Sequence, residues 1–422
     1  LLILHARLVD GSGRPPVERA SIVVRDGRIA AIAEDMDLEL PGAPVLDAKG
    51  ATVLPGLIDS HVHLAAAPGS AFRNDSDAKI QELNHEHLRA YLANGVTTVL
   101  DPGSPMEMVE AAQRWLAAGN PGPRYLTTGP VLRVPGGYGS ERHGALRSVA
   151  DVERALDRIV AMGGAGVKLA TESAFGPFAS LPQFPPEMRR AILDGASRRK
   201  LPLYIHAMNE RDGEAALDLG AHAIMHAPIG GVWTGQFFGA SDLSDGYVRR
   251  LARSGAYQLT TFSVLDTWPG SFDVRRLDDP MVILTVPRLE LATARNPEAE
   301  RFFAVAILGQ AVPWLPESAL PWVARHLWDA ENLREGLAYS QRNILRLHRA
   351  GVPIVAATDA PSTWPEAIYH FHGPQTPREV ELLVDAGLSP MEAIVAATRN
   401  PARMLGLEDE IGTVEVGKRA DL

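Results

Sequence analysis

Two histidines at alternating positions stand out in the segment PGLIDSHVHL. His61 and His63 are separated by one residue at the end of an apolar run that indicates a β-strand. Because side chains alternate between the two faces of a strand, both imidazoles should point to the same side. Two neutral imidazoles so placed can bind one divalent cation. The chain has no cysteine, so any metal must be held by nitrogen and oxygen.

Four further polar residues lie within or directly after short apolar runs. His206 in LYIHAM, His226 in IMHAP and Asp359 in AATDAP each end a predicted strand. Lys168 lies inside AGVKLA, where an unpaired ammonium is costly, so it needs an acidic partner such as Asp359 or a chemical modification. A single strand-end histidine is more often a hydrogen-bonded core residue than a ligand. If the strand ends converge, however, these residues form one metal-ligand set.

The elements that would position these residues follow the pattern of a parallel α/β fold. Short runs rich in Val, Ile, Leu and Thr alternate with segments of helical periodicity, which is typical of repeated β-α units. In a (β/α)8 TIM barrel, active sites lie at the carboxyl ends of the strands. Eight strands are predicted, at residues 51–64, 95–101, 123–129, 165–170, 201–208, 221–227, 255–262 and 351–360.

Both ends of the chain have a β-rich character that differs from the middle. Residues 1–50 alternate short β-rich runs with turn signals, and the final segment GTVEVGKRADL returns to this character. We therefore expect a small composite β-sandwich domain from residues 1–50 and 403–422, and a barrel domain over residues 51–402. The long gap before the last predicted strand contains an insertion at 263–322, interpreted as a lid or pocket-forming segment.

The bulk composition limits the classes of function. The chain has 422 residues, of which 46% are hydrophobic and 22% charged, as in soluble globular domains. Its net charge of −10, without a long run of Lys or Arg, argues against nucleic acid or an anionic membrane as a partner. We expect a small-molecule substrate and leave homo-oligomer formation open. A cytoplasmic location is preferred, with export left open because the sequence starts at Leu1 without an initiator Met.

Taken together, these motifs resemble the amidohydrolase superfamily, and within it the binuclear branch of imidazolonepropionase-like and prolidase-like enzymes. The resemblance covers nearly the whole chain and includes GVTTVLD in the second strand and LSPMEAIVAATRNPARMLG near the end. PGLIDSHVHL and the closing segments are highly specific, whereas VKL alone is weak. The resemblance implies a metal-dependent hydrolase built on a (β/α)8 barrel.

The resemblance also assigns the ligands to two metal ions. His61 and His63 with Asp359 would bind the more buried ion, and His206 with His226 the more exposed one. Zinc is the first choice because His and carboxylate ligands suit it, while manganese and iron stay open. Two bridged divalent ions would lower the pKa of a shared water and polarise the scissile carbonyl.

Two residues would have special roles by the same resemblance. Lys168, carboxylated by carbon dioxide, would bridge the two ions as a carbamate. Asp359 would be the catalytic residue that takes a proton from the attacking water and returns it to the leaving group.

A glycine-rich loop after the third predicted strand, VPGGYGSERHG, should overhang this site. Tyr138 and His143 lie in the loop, and related peptidase-like members use it to meet the substrate. Both are therefore candidate substrate-binding residues, with solvated loop side chains as the alternative.

Other histidines are interpreted differently. His85 and His87 lie in a polar helical run and are predicted to be on a solvated helix surface. His370 and His372 form a second His-x-His pattern, but no strand surrounds them. They are predicted to be loop residues near the pocket rather than ligands.

Three functional hypotheses follow. The first is a binuclear hydrolase that cleaves an amide or peptide-like C–N bond in a small substrate, of dipeptidase or N-acyl amino acid amidohydrolase type. The same site could serve an esterase, lactonase or phosphotriester hydrolase. The second is a mononuclear deaminase or cyclic-amide hydrolase; deaminases of the superfamily have HxxE, whereas Asn209 stands at that spacing from His206. The third is a catalytically inactive scaffold of the same fold.

Overall fold

The N-terminal residues form a mixed five-stranded sheet around its first strand. Its strands are β1 (Leu2–Leu8), β2 (Val17–Arg25), β3 (Arg28–Glu34), β4 (Val45–Asp47) and β5 (Thr52–Val53). β1 pairs antiparallel with β2 and parallel with β4 and β5, and β2 pairs antiparallel with β3. Asp26 and Gly27 connect β2 to β3 with φ of 52° and 72°, as a tight two-residue hairpin turn requires.

Residues from the C-terminal end contact this sheet directly. The N–H of Ile29 donates to the carbonyl of Lys418, and the N–H of Val414 donates to the carbonyl of Asp10, each at 2.9 Å. The Val414 side chain packs in one buried cluster with apolar residues of β1, β2 and β3. Both chain ends therefore share one hydrophobic core.

The structure is a computed structural model that describes residues 1–36, 38–138, 145–175, 179–229, 241–268, 271–311, 315–327, 330–362 and 367–422. Within these ranges each of the eight predicted parallel strands contains an observed strand. The predicted first strand is too long, because Pro55 and Gly56 divide it into β5 of the N-terminal sheet and a separate parallel strand, β6 (Leu57–Asp59). The parallel strands are β6 (Leu57–Asp59), β7 (Val96–Asp101), β8 (Arg124–Thr127), β9 (Val167–Ala170), β12 (Leu203–His206), β13 (Ala223–Met225), β14 (Tyr257–Leu259) and β15 (Ile354–Val355). A short hairpin between them consists of β10 (Ala174–Phe175) and β11 (Ala179–Ser180).

The parallel strands form two sheets, in the orders β6-β7-β8 and β9-β12-β13-β14-β15. Backbone contacts connect the sheets at both edges. Val62 and Ala360 form a parallel bridge beyond β6 and β15, and Leu132 and Leu169 form one beyond β8. The carboxyl ends of the first and last parallel strands are thus held side by side.

Helices alternate with the parallel strands. Four of them begin after a serine whose side chain accepts a hydrogen bond from the third helical N–H, which satisfies a backbone donor that would otherwise lack a partner; these serines are Ser76, Ser148, Ser244 and Ser389. The helices outside the insertion are α1 (Ser70–Arg73), α2 (Asp77–Ala93), α3 (Met106–Ala117), α4 (Val149–Ala161), α5 (Pro186–Arg198), α6 (Glu210–Asp218) and α7 (Asp245–Ser254), followed after β15 by α14 (Gln375–Asp385), α15 (Pro390–Ala397) and α16 (Arg399–Met404).

The long segment between β14 and β15 is helical. It contains α8 (Phe262–Asp266), α9 (Pro280–Thr285), α10 (Arg288–Ala294), α11 (Pro297–Ala311), α12 (Leu320–Leu327) and α13 (Ala330–Arg349), with 3-10 turns at Val274–Asp278 and Glu317–Ala319. Its apolar residues pack against Phe72, Ile368 and Phe371, which follow the first and last parallel strands. Among the described helices, none is long and apolar enough to cross a membrane.

Candidate metal centre and active site

Alternation along the strands brings the polar site residues to one face. Val167 and Leu169 of β9 pack in the large cluster that includes α4 and α5, while Tyr204 of β12 belongs to a separate cluster on the other face of the strands. Lys168 and His206 occupy positions of the same parity as Tyr204, and both are buried. The period of two therefore directs an amine and an imidazole to the inner face of the sheet.

The ends of the first and last parallel strands bring His61, His63 and Asp359 into direct contact. Asp359 Oδ1 lies 3.1 Å from His61 Nε2 and 3.0 Å from His63 Nε2, and the two Nε2 atoms are 3.1 Å apart. All three side chains are buried. Such separations suit ligand atoms that share one cation at about 2.0–2.2 Å.

The backbone around these residues fixes their register. The N–H of Asp359 donates to the carbonyl of His61 at 2.7 Å, and the N–H of His63 donates to the carbonyl of Ala360 at 2.9 Å. Val62, between the two histidines, packs in the core with Tyr91 and is fully buried. Asp359 has a φ of 62°, a conformation that side-chain-bearing residues rarely adopt.

The other two histidines of the predicted ligand set lie beside this group. The ring centroid of His226 is 4.8 Å from that of His61 and 4.2 Å from that of His206. His226 Nδ1 is 4.0 Å from Asp359 Oδ2 and 3.3 Å from the hydroxyl of Thr261. Burial, with a contribution from neighbouring cationic groups, lowers the pKa of His61, His206 and His226 well below the usual range. These imidazoles are therefore neutral at pH 7, which is the form that binds metal.

Lys168 is buried close enough to His61, His206 and His226 for its charge to lower their pKa values. Its single hydrogen bond within the described residues goes to Met225 Sδ at 2.9 Å, a weak acceptor. Burial lowers the pKa of Lys168 to about 7, opposed by the charge of Asp359. A large part of this amine is thus uncharged near neutral pH.

The site contains ligand-type nitrogen atoms without a protein partner. His61 Nδ1, His63 Nδ1 and His206 Nε2 are buried and have no hydrogen-bond partner within the described residues. Buried polar atoms normally have partners. His61, His63 and Asp359 also form a cluster whose ligand atoms all lie within 4.8 Å of one another. The donor set therefore fits divalent metal ions.

Of the two predicted substrate-binding residues, the structure describes Tyr138 but not His143. The Tyr138 ring packs against the His206 ring at a tilt of 33°, with ring centroids 4.3 Å apart, and burial raises the pKa of Tyr138 well above the usual value. Glu172 and Asp359 are close enough to contribute to the same shift. His143 lies in the range 139–144, outside the described residues.

Two polar residues of this site, Glu172 and Asp212, were missed by sequence reasoning, and Asn209 was named only as a departure from the deaminase HxxE pattern. Glu172 Oε2 lies 3.6 Å from His206 Nε2, and Asn209 Nδ2 donates to Glu172 Oε1 at 2.9 Å and to Asp212 Oδ2 at 2.7 Å. Burial and the neighbouring Asp212 raise the pKa of Glu172 well above its usual value. The signal for Glu172 is its place four residues after Lys168, two residues beyond the end of β9.

Two acidic residues beside the first ligand pair were also missed. Asp59 accepts hydrogen bonds from the N–H of Thr358 at 3.1 Å and from the hydroxyl of Thr376 at 2.6 Å, so it joins the first and last parallel strands. Asp101 accepts from the N–H of Leu64 at 3.2 Å, directly after His63. Asp59 lies inside the PGLIDSHVHL motif, which was the available signal.

The prediction for one surface histidine is wrong. His85 is exposed, as expected, and stacks on Trp115. His87 is instead fully buried, because α2 packs against the helices of the insertion. Glu290 Oε1 of α10 lies 2.6 Å from His87 Nε2. His370 and His372 are loop residues, as predicted, and the candidate metal cluster found among the described residues consists of His61, His63 and Asp359.

The sequence model of the amidohydrolase family matches residues 52–230 and 297–422, which include all residues of the predicted ligand set. The chain therefore belongs to the amidohydrolase family. This confirms the resemblance drawn from the motifs.

Individual relatives agree with this assignment. An enamidase from Eubacterium barkeri is 37% identical over 101 residues, which are 24% of this chain and only 24% of that enzyme's own length. An imidazolonepropionase from Acidiphilium cryptum (strain JF-5) is 25% identical over 420 residues, or 98% of this chain and 88% of the relative. A solved Xaa-Pro dipeptidase with bound methionine is 20% identical, with a TM-score of 0.70 over 99% of this chain and 92% of that one. The structural match gives the chain an α/β fold of the TIM-barrel type.

Proposed function

We propose that the protein is a binuclear metal-dependent hydrolase that cleaves an amide or peptide-like C–N bond in a small substrate. The observation that carries this proposal is the contact of Asp359 Oδ1 with both His61 Nε2 and His63 Nε2 at the end of the first and last parallel strands. The proposal includes a closed (β/α)8 barrel over residues 51–402 and a composite β-sandwich domain from residues 1–50 and 403–422.

Two groups of ligands would hold the ions. His61, His63 and Asp359 hold one, and His206 with His226 hold the other; zinc suits these nitrogen and oxygen ligands. When bound, the two ions supply a water of lowered pKa and polarise the scissile carbonyl. His206 Nε2, which has no hydrogen-bond partner within the described part of the chain, supports this assignment.

Lys168 would join the two groups as a carbamate. Its neutral Nζ adds to the carbon of carbon dioxide and releases one proton, which yields an anionic group with two oxygen ligands. The lowered pKa of Lys168 supports this step because only the uncharged amine can react. Its contact with Met225, a weak acceptor, also supports it, since no carboxylate within the described residues forms a hydrogen bond with the amine.

Asp359 would transfer the proton during hydrolysis. Its carboxylate accepts a proton from the attacking water and returns it to the leaving nitrogen, as a general base and then a general acid. Tyr138, which packs against the His206 ring, would contact the substrate, and His143 of the same loop is proposed for this role as well.

The relatives support a C–N bond as the target, because they include an enamidase, an imidazolonepropionase and a Xaa-Pro dipeptidase. We propose dipeptides or N-acyl amino acids as the substrate class. Asn209 disfavours the mononuclear deaminase hypothesis: its side chain caps α6 through the N–H of Asp212 and bonds to Glu172, so no carboxylate occupies that position.

A metal count and a substrate screen test the proposal. The purified protein is loaded with zinc and bicarbonate, the metal content is measured, and hydrolysis of dipeptides, N-acyl amino acids, aryl esters and lactones is compared. We expect two metal ions per chain and the highest kcat/KM on a C–N bond. A single ion per chain would favour the mononuclear hypothesis, and preference for an ester or lactone would overturn the substrate class. Failure to bind any metal would revive the inactive scaffold.

A further inference from the structure

The second His-x-His segment is buried, although it lies outside the proposed ligand set. His370 and His372 are 0% and 1% exposed. Tyr369 and Phe371, which alternate with them, pack into the apolar cluster of the insertion. The segment therefore anchors the insertion through its aromatic residues, and the two imidazoles are left to bond with other parts of the chain.

His370 forms hydrogen bonds that reach the backbone on both sides of Asp359 in the chain. The N–H of Ser362 donates to His370 Nδ1 at 2.9 Å, so this nitrogen carries no proton. His370 Nε2 must then donate to the hydroxyl of Ser263 at 3.2 Å, and that hydroxyl donates to the carbonyl of Thr358 at 3.1 Å. A single neutral tautomer of His370 therefore bonds directly to Ser362, three positions after Asp359. Through the Ser263 hydroxyl it also reaches Thr358, the residue before Asp359.

His372 holds the segment that follows His63. Its Nε2 is 3.2 Å from the carbonyl of Ala66, which can only accept, so Nε2 carries the proton. Its Nδ1 accepts from the hydroxyl of Tyr91 at 2.8 Å. Both imidazoles therefore bond to the backbone that bears the first ligand group.

The insertion reaches the same segment through His87. The His87 ring lies 4.0 Å from the His372 ring, its Nδ1 is 3.1 Å from Asn84 Oδ1, and its Nε2 is 2.6 Å from Glu290 Oε1. Asn84 donates to the carbonyl of Leu64 at 2.7 Å. A continuous buried chain of hydrogen bonds and ring contacts thus connects α10 to the residue after His63.

We propose that His370 and His372 are positioning residues, which fix the backbone around Asp359 and after His63 so that these side chains converge on a cation. The inference rests on the proposed metal site. Ligands whose supporting hydrogen bonds are intact need no reorganisation on binding, and loss of such bonds typically costs about 10–100-fold in metal affinity. Burial lowers the pKa of His370 to about 3 and that of His372 well below its usual range, so both stay neutral, and their hydrogen-bond partners fix the tautomers described above.

The test uses the full metal-free chain titrated with Co²⁺, whose visible spectrum reports the geometry of its ligands. His370→Phe and His372→Phe keep an aromatic ring but remove every hydrogen bond. His370→Asn retains an acceptor where Nδ1 stands, and Ser263→Ala removes only the hydroxyl that bonds to Thr358. His222→Phe is the matched control, because His222 Nε2 bonds to the carbonyl of Met404 at 2.8 Å at the opposite end of β13.

We expect the two Phe variants to bind Co²⁺ about 10–100-fold more weakly and to change its spectrum. His370→Asn should recover part of the affinity, and His222→Phe should keep the wild-type affinity and spectrum even if urea unfolds it more easily. If a Phe variant does not fold, the inference is tested with His370→Asn and Ser263→Ala. Ser263→Ala is then expected to bind Co²⁺ more weakly than the wild type.

Wild-type affinity and spectrum in the variants that fold would overturn the inference, as would an equal loss of affinity in His222→Phe. These results leave the proposed function intact. Absence of Co²⁺ binding by the unaltered chain would instead overturn the proposed metal site, and the inference with it.

Discussion

The backbone N–H of Asp359 donates a 2.7 Å hydrogen bond to the carbonyl of His61. This bond joins the segment after the last parallel strand to the segment after the first at the level of the proposed ligands, where Asp359 has a φ of 62°. Two residues almost 300 positions apart in the chain are therefore fixed relative to each other by main-chain contacts as well as by their side chains.

Asp359→Asn should remove the charge of this residue while keeping its backbone conformation, so that the two contributions can be measured separately. Asn adopts positive φ more readily than other non-glycine residues, so the metal-free variant should unfold at nearly the wild-type urea concentration. Its kcat should fall about 10²–10⁴-fold, because the amide cannot accept the proton of the attacking water.

Asp359→Ala serves as the comparison, since it adds a backbone cost of about 1–2 kcal/mol at this φ. Urea unfolding and steady-state kinetics on the best substrate measure both quantities. Full activity of Asp359→Asn would contradict the proposed proton transfer.

Lys168→Met should reduce the metal content from two ions per chain to one. The variant keeps a long buried side chain but has no amine, so it cannot form the carbamate that would bridge the ions. Metal analysis gives the stoichiometry, and incubation with ¹³C-bicarbonate should produce a carbamate NMR signal in the wild type that is absent in the variant. Lys79→Met, at a lysine paired with Glu82 at the start of α2, is the control. Two ions in Lys168→Met would show that no carbamate is needed.

The positions of the candidate ligands at the strand ends could be predicted from the sequence because each depends on local information. A short apolar run followed by a polar residue indicates a strand end, and the period of two assigns the face, as for His61 and His63. The placement of Asp359 also follows from the run that ends in TD. Parallel strands then converge by the rules of the fold.

The supporting residues could not be predicted in the same way. His87 lies in a run with many polar residues, and its burial depends on Glu290, which is 203 positions away. The bonds among Glu172, Asn209 and Asp212 likewise join β9 to α6. Local periodicity carries no information on such partners, so a polar residue buried by a distant segment resembles a surface residue.

Gly103→Ala should weaken binding of the first ion. A Cβ at this position would lie 2.6 Å from His63 Cε1, so the imidazole would have to move. We expect at least a tenfold loss of zinc affinity, since ligand orientation is typically worth about that much. Gly246→Ala is the control, because the nearest atom to its added Cβ, the Ser244 hydroxyl oxygen, is 3.5 Å away. Zinc affinity equal to that of the wild type would show that His63 does not depend on this close approach.

Glu379 should make the metal-free protein less stable as the pH rises. Its carboxylate oxygens accept hydrogen bonds from the N–H groups of Phe262 and Ser263, both at 2.8 Å, and burial raises its pKa to about 7. The folded state therefore binds this proton more tightly than the unfolded chain does. The resulting stabilisation is present below the unfolded pKa of about 4.5 and is lost as the pH rises through about 7, with a total of about 3 kcal/mol.

Glu379→Gln removes this titration, so the measurement is the change in the free energy of unfolding between pH 4.5 and pH 8. We expect the wild type to lose more stability over this range than Glu379→Gln, by up to about 3 kcal/mol. The variant is expected to be destabilised at both pH values, because the amide accepts only one of the two backbone hydrogen bonds, but this cost does not change with pH. Glu381→Gln, an exposed position on the same helix, should keep the wild-type pH dependence. Equal pH dependence in Glu379→Gln and the wild type would mean that this carboxyl has the same proton affinity in the folded and unfolded chain.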